Sequence, residues 1–197
     1  MVTARGWWDL ADSATFYPDD LPEDWRLTYF ANGFRATLLP SALWSASEPS
    51  QMAQWREEVP AGFRFVAEQP RARPTQPEAP LQAAILEQLL EPKLAAWLEP
   101  LASAPRVPAS GAAPAVDAWF RYRSPGVGSD ETRTASERYA VQAPRALHQD
   151  LRGAKHWLST LTERHGRAPS LIILAQPSSA SLAAWQELLD LLGLSRR

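Results

Sequence analysis

The chain has no cysteine in 197 residues. Disulfides, thiolate metal sites and a cysteine nucleophile are therefore excluded. Histidine is scarce, at three residues, and nine glycines face eighteen prolines. So much proline implies many forced breaks and stiff loops. Neither charge sign is in large excess: the net charge is −2 and the isoelectric point about 5.9. No global positive field draws the protein to nucleic acid or anionic lipid, although a local basic patch is compatible with these numbers. Long apolar runs are missing as well. The first ten residues carry Arg5, Trp7, Trp8 and Asp9, which is not a signal-peptide pattern. No stretch reaches the roughly 18 to 20 apolar residues of a membrane span, and a cytoplasmic protein is expected. No Gly-x-Ser-x-Gly elbow, His-Glu-x-x-His pair or zinc spacing occurs. The run Ser124-Pro125-Gly126-Val127-Gly128-Ser129 follows a predicted strand. It lacks the lysine of a phosphate-binding loop and the three-glycine spacing of a dinucleotide loop, so a plain loop is the favoured reading.

What is present is an ordinary globular composition, 45% hydrophobic and 21% charged, with nine tryptophans. The length suits one domain, 1–197. Strands are predicted at 2–8, 34–39, 62–67, 116–122 and 171–174. Helices are predicted at 22–31, from a Ser47 cap to Pro60, at 81–101 with Pro92 kinking or dividing it, at 145–164, and from Ser179 to a stop at Gly193. The 145–164 helix is the clearest, with Leu147, Leu151, Ala154, Leu158 and Leu161 on one face. Residues 9–20 and 124–134 read as loops, and 69–80 and 102–114 as proline-rich loops. Alternating strands and helices imply an α/β fold with a mainly parallel sheet.

Trp25, Trp55, Trp97, Trp157 and Trp185 fall in predicted helices, where core packing is the favoured reading. Trp7, Trp8 and Trp44 fall at or just after strand ends, where an α/β fold places its site, and are ligand-binding candidates.

Gly6-Trp7, Phe16-Tyr17-Pro18, Trp25 with Tyr29-Phe30, Trp55, and Pro60 followed by Phe63-Arg64-Phe65 recur in order over residues 5–68. In this the chain resembles the YecE-like family, domain of unknown function 72. The 171–174 run with Trp185 resembles that family's last strand and helix, and 116–123 resembles its strand ending in Arg-x-His-Gly. The resemblance implies a TIM-type βα barrel of unestablished function. Against the family pattern, Leu38 and Pro40 replace a strand Glu and Asn. Arg121-Tyr122-Arg123-Ser124 replaces Arg-x-His-Gly, and Ala175-Gln176 replaces paired Asn. With five strand candidates and a length below the roughly 250 residues of a typical barrel, an incomplete barrel is expected. Its exposed sheet edge would need a protein partner or self-association.

His148, His156 and His165 lie on or at the end of one predicted helix, too far apart to share a metal, and read as solvated. No metal and no cofactor are expected. Asp9 and Asp12 sit in the loop after the first strand. Capping is the favoured role for both, and Asp9 is the best catalytic candidate. Arg121 and Arg123, two apart, share a strand face and could form an anion site with Arg35 and Arg64. Two functions follow. The first is a non-catalytic protein-interaction or regulatory module derived from the barrel. The alternative is a hydrolase-like or phosphate-ester-binding or nucleic-acid-binding enzyme with a strand-end site built from Asp9, Arg121 and Arg123 near Trp7, Trp8 and Trp44.

Overall fold

A computed structural model of the chain describes residues 1–70, 79–101, 116–126 and 138–194. In chain order the elements are β1 (Val2–Ala4), α1 (Ser13–Phe16), α2 (Arg26–Gly33), β2 (Ala36–Leu39), α3 (Ser41–Trp44), α4 (Pro49–Glu58) and β3 (Arg64–Glu68). Then come α5 (Ala79–Leu90), β4 (Leu94–Leu101), β5 (Ala118–Arg123), β6 (Tyr139–Gln142), α6 (Leu151–His165), β7 (Leu171–Leu174) and α7 (Ser179–Leu191). Short 3₁₀ turns at Glu23–Trp25 and Arg145–Leu147 lead towards α2 and α6. The seven strands form one sheet in the order β1-β7-β6-β5-β4-β3-β2. Only β5 runs against its neighbours; the pairs β1/β7, β6/β7, β2/β3 and β3/β4 are parallel.

The sheet curls until its two edge strands stand side by side. Thr3 Oγ1 in β1 lies 3.0 Å from the Ala36 carbonyl in β2. No backbone ladder joins these strands among the described residues, so the fold is a TIM-like barrel with an unsealed seam. A further strand would need about 4.8 Å on each side, so the seam has no room for one at the level of Thr3. The expected incomplete barrel is found, but its edges face each other.

Strand alternation divides the core in two. Leu38, Val66, Ala96, Leu98, Phe120, Ala140, Leu171 and Ile173 fill the barrel interior. Phe120 has Ala140 directly opposite it on β6, and this small-against-large pairing admits one ring inside a narrow barrel. The outward set, including Val2, Leu39, Phe65, Trp97, Val141 and Leu174, packs against the helices. α6 presents Ala154, Trp157, Leu158 and Leu161 to this layer, and α7 presents Leu182, Trp185 and Leu189. Trp157 and Trp185 meet edge to face at 6.2 Å, a ring geometry worth about 1 kcal/mol beyond burial. Asp150 caps α6, its Oδ1 accepting from the Gly153 amide at 2.9 Å. Gly166 closes the helix at φ 66°, the left-handed conformation that glycine adopts without steric cost.

Several expectations are corrected. The helix predicted at 81–101 ends at Leu90, and after Pro92 the chain enters β4. Leu94 and Trp97 are buried among the helices while Ala96 and Leu98 are buried in the barrel. A strand buried on both faces is apolar throughout and passes for a helical stripe. Tyr139–Gln142 forms a strand that its sequence did not announce, so with β4 the described residues hold seven strands and not five. The first strand stops at Ala4, and a helical turn, α1, occupies part of the predicted 9–20 loop. Ser47 caps nothing and donates to the Leu43 carbonyl; Ser178, not Ser179, caps α7. Trp25 is 61% exposed and not core, and Trp97 is in a strand. Residues 79–80 belong to α5. The proline-rich stretches 71–78 and 102–114, and the 124–134 loop beyond Gly126, lie outside the described residues. Among the described residues no helix is long and apolar enough to cross a membrane.

Candidate functional site at the barrel mouth

The parallel strands all end at one face, where βα barrels carry their chemistry. The chain leaving β1 supplies Arg5, Trp8 and Asp9; Pro40 follows β2; Ala175 and Gln176 follow β7; and Arg145 stands in the turn after β6. These residues line a cleft of about 390 Å³. Glu68, at the end of β3, accepts from Arg5 Nη2 at 3.0 Å.

Gly6 shapes the first loop. Its φ is 127°, a region essentially closed to other residues. A Cβ there would lie 2.7 Å from the Trp8 ring. The turn it permits leaves Trp8 41% exposed. Trp7 points back, edge to face with Trp8 at 4.7 Å and with Trp55 at 5.7 Å. The Trp7 carbonyl accepts from the Tyr17 hydroxyl, and burial pushes that phenol well above its ordinary range.

Asp9 is half-buried, and its Oδ2 accepts from the Gln176 amide at 3.2 Å. Burial raises its pKa; the Gln176 amide and the charges of Arg5 and Arg145 pull the other way without cancelling the effect. Gln176 adopts φ 49°, a conformation that costs a non-glycine residue about 1 kcal/mol. In it the backbone amide meets Asp9 while the side-chain Oε1 accepts from Arg145 Nη2 at 2.6 Å. Gln176 is thus the hub joining the β1 loop to the β6 turn.

Asp12 does not face the cleft. It accepts from the Ser179 amide at 2.8 Å and from the Ser179 hydroxyl at 2.6 Å. It therefore fixes the start of α7, where a carboxylate complements the positive helix end. Trp44 stands behind the site. It is wholly buried, lies edge to face with Trp97 at 5.6 Å, and donates from Nε1 to the Glu68 carbonyl at 3.0 Å. It holds the residue that holds Arg5.

Arg121 and Arg123 share a strand face as their spacing implied, but β5 is antiparallel. Arg121 pairs in register with Tyr139, the first residue of β6, so both arginines lie towards the opposite end of the barrel from Asp9. Alternation puts Phe120 and Tyr122 inside and the two arginines outside, where Arg121 bonds Glu99 at 2.8 Å. The constellation of Asp9 with Arg121 and Arg123 does not assemble. Arg35 and Arg64 do come together, at that opposite end and with Arg138.

The histidines also differ from expectation. His148 is 7% exposed, and burial lowers its pKa. His165 contacts the rings of Trp119 and Tyr139 at 5.1 and 5.0 Å. Only His156 is solvated. No group of three possible metal ligands occurs among the described residues.

The mouth residues missed in the sequence are Arg5, Glu68, Arg145 and Gln176. Arg5, Glu68 and Gln176 each end a strand or lie within two residues of one. Reading each strand end for polar residues would have found them; Arg145 would have needed the unseen β6. Of the positions where the chain departs from the family pattern, Pro40, Ala175 and Gln176 lie in the cleft, whereas Leu38 fills the barrel interior and Arg121 and Arg123 lie towards the opposite end.

No curated protein and no solved structure matches the chain. The family described as "Protein of unknown function DUF72" matches residues 2–104. The match runs from β1 past the end of β4, just over half of the 197 residues. With the barrel topology and the aromatic landmarks in place, the chain belongs to the DUF72 family.

Proposed function

We propose that this chain is a non-catalytic interaction module that engages a protein partner at the barrel mouth through Trp8. The observation that carries the reading is how the mouth's polar groups are spent. Arg5 is taken by Glu68, Arg145 by Gln176, and Asp9 by the Gln176 amide. Trp8 stands exposed among them. A half-exposed tryptophan rimmed by arginines has the composition of a protein-binding hot spot. The cytoplasm is the setting this reading assumes, where a chain without cysteine forgoes nothing. The partner would meet the mouth, since the seam holds no vacant strand position beside Thr3.

The test is a tagged pull-down from native cells with mass spectrometry, repeated with Trp8→Ala. A stoichiometric partner captured by the native chain and lost with Trp8→Ala is the expected result. Capture that survives Trp8→Ala would move the interface elsewhere.

One observation favours a second reading, a phosphate-ester hydrolase with its site at the strand ends. The raised pKa of Asp9 beside two arginines is a property shared with acid–base catalysts. Phosphatase activity on a generic aryl phosphate, abolished by Asp9→Asn, would replace the first reading with this one.

A further inference from the structure

The N-terminal end of the barrel carries a larger cleft, of about 780 Å³. In TIM-type folds this end ordinarily serves stability, yet here it gathers positive charge. Arg35 precedes β2, Arg64 opens β3 and Arg138 immediately precedes β6, and all three line the cleft. Arg35 is already matched, bonding both carboxylate oxygens of Asp190 at 2.7 and 2.8 Å. That fork also neutralises Asp190, the one carboxylate among the described residues of the lining. Arg64 is held differently. Its Nη1 donates to the carbonyls of Ala61 and Phe63 at 2.8 and 2.9 Å, neutral acceptors that orient the guanidinium without cancelling its charge. Arg138 is exposed, and among the described residues neither it nor Arg64 forms an ion pair.

A fourth cation, Lys93, lies near enough to Arg64 to feel its charge. Lys93 Nζ donates to the Arg56 carbonyl at 2.6 Å. Burial first, and then the charges of Arg56 and Arg64, lower its pKa. Like charges gathered at one end of a chain whose net charge is −2 are relieved by an anion of more than one charge. Ala95 and Leu189 supply an apolar lining beside the arginines.

We propose that this cleft binds a phosphate-bearing small molecule, with Arg64 and Arg138 on the phosphate oxygens. The guanidinium fork matches phosphate geometry, and the volume lies in the small-ligand range of about 300 to 1,000 Å³. A single carboxylate would leave one of the two guanidiniums uncompensated. The site is separate from the mouth, so it stands or falls independently of the proposed function.

The test is calorimetric titration at constant ionic strength with pyrophosphate, adenosine diphosphate, citrate and a twelve-nucleotide single-stranded DNA. Native chain, Arg138→Gln, Arg64→Gln and Arg5→Gln are compared after circular dichroism shows that each is folded. The expected result is saturable one-to-one binding of pyrophosphate or adenosine diphosphate. It should be weakened at least about tenfold by Arg138→Gln, the exposed position least able to disturb the fold, and unchanged by Arg5→Gln at the other end. No saturation with either phosphate compound overturns the proposal. So does citrate binding as tightly, an Arg138→Gln chain that binds like the native one, or binding of the DNA alone, which would make the end a nucleic-acid surface.

Discussion

Arg5 and Glu68, 63 residues apart in sequence, form an ion pair at 3.0 Å that passes over the end of β2 and straps the unsealed seam. The side chains are 32% and 14% exposed, so the carboxylate is far drier than at a surface pair and loses more if left alone. Glu68→Ala is expected to destabilise the fold by about 1 to 2 kcal/mol, above the 0 to 1 kcal/mol of an exposed bridge. A double-mutant cycle with Arg5→Ala, read by urea unfolding, should return a coupling near 1 kcal/mol. Additive single effects would mean that the strap contributes nothing to closure.

The seam has a second tie below the first. Thr3 is fully buried, and its hydroxyl lies 3.0 Å from both the Ala36 and Ala4 carbonyls, so one proton serves two acceptors. Thr3→Val keeps the shape and removes the donor. The expected cost is about 1 to 2 kcal/mol, the worth of a buried hydrogen bond with the desolvation of its acceptor. Amide exchange in β1 and β2 should rise before that in β6. Uniform loss across the sheet would show that Thr3 matters to global packing and not to the seam.

How far the sequence carried the reading follows from how each element is buried. Leu171–Leu174 was legible to the residue because an apolar run of strand length lay between clear breaks. The Phe63-Arg64-Phe65 alternation was legible because Arg64 opens β3 at the cleft-bearing end of the barrel, and the helix with Trp185 was legible because period 3.6 survives where one face is buried and the other wet. β4 was not, because burial on both faces erases the alternation. β6 was not, because four residues, Tyr139 to Gln142, hold too little pattern. That loss propagated to the site. Without β4 and β6, β5 could not be seen to run antiparallel, and Arg121 and Arg123 were assigned to the wrong end. Trp44 gave a true signal of position near a strand end, but position cannot tell a ring that meets ligand from one that supports Glu68.

The pH dependence of stability should carry a mark of Asp9. Its folded pKa is raised from the ordinary 3.8 by burial. The native state therefore holds the proton more tightly than the unfolded chain does. The stability this gives is fully present below pH 3.8 and is lost as pH rises through the folded pKa. Asp9→Asn removes the titration and keeps an acceptor for the Gln176 amide. The variant should match the native chain in acid and exceed it at pH 7, in urea unfolding measured from pH 3 to 7. A variant weaker than native at pH 7 would show that the Asp9 charge is used by Arg5 and Arg145 more than burial penalises it.

Gly6 is the position where the mouth depends on backbone freedom. At φ 127° an alanine is strained whatever the space around it, and its Cβ would also press on the Trp8 ring at 2.7 Å. The ring is half-exposed and can move, so the steric part can be relieved; the backbone part cannot. Gly6→Ala is expected to cost about 1 to 3 kcal/mol and to turn Trp8 away from its present place beside Asp9. The two effects separate in one experiment, because Trp8→Ala removes the steric part. If Gly6→Ala made in the Trp8→Ala background still costs about 1 kcal/mol or more by urea unfolding, the loop conformation itself is what glycine provides. If the cost vanishes there, the contact with Trp8 was the whole of it, and the turn would tolerate other residues.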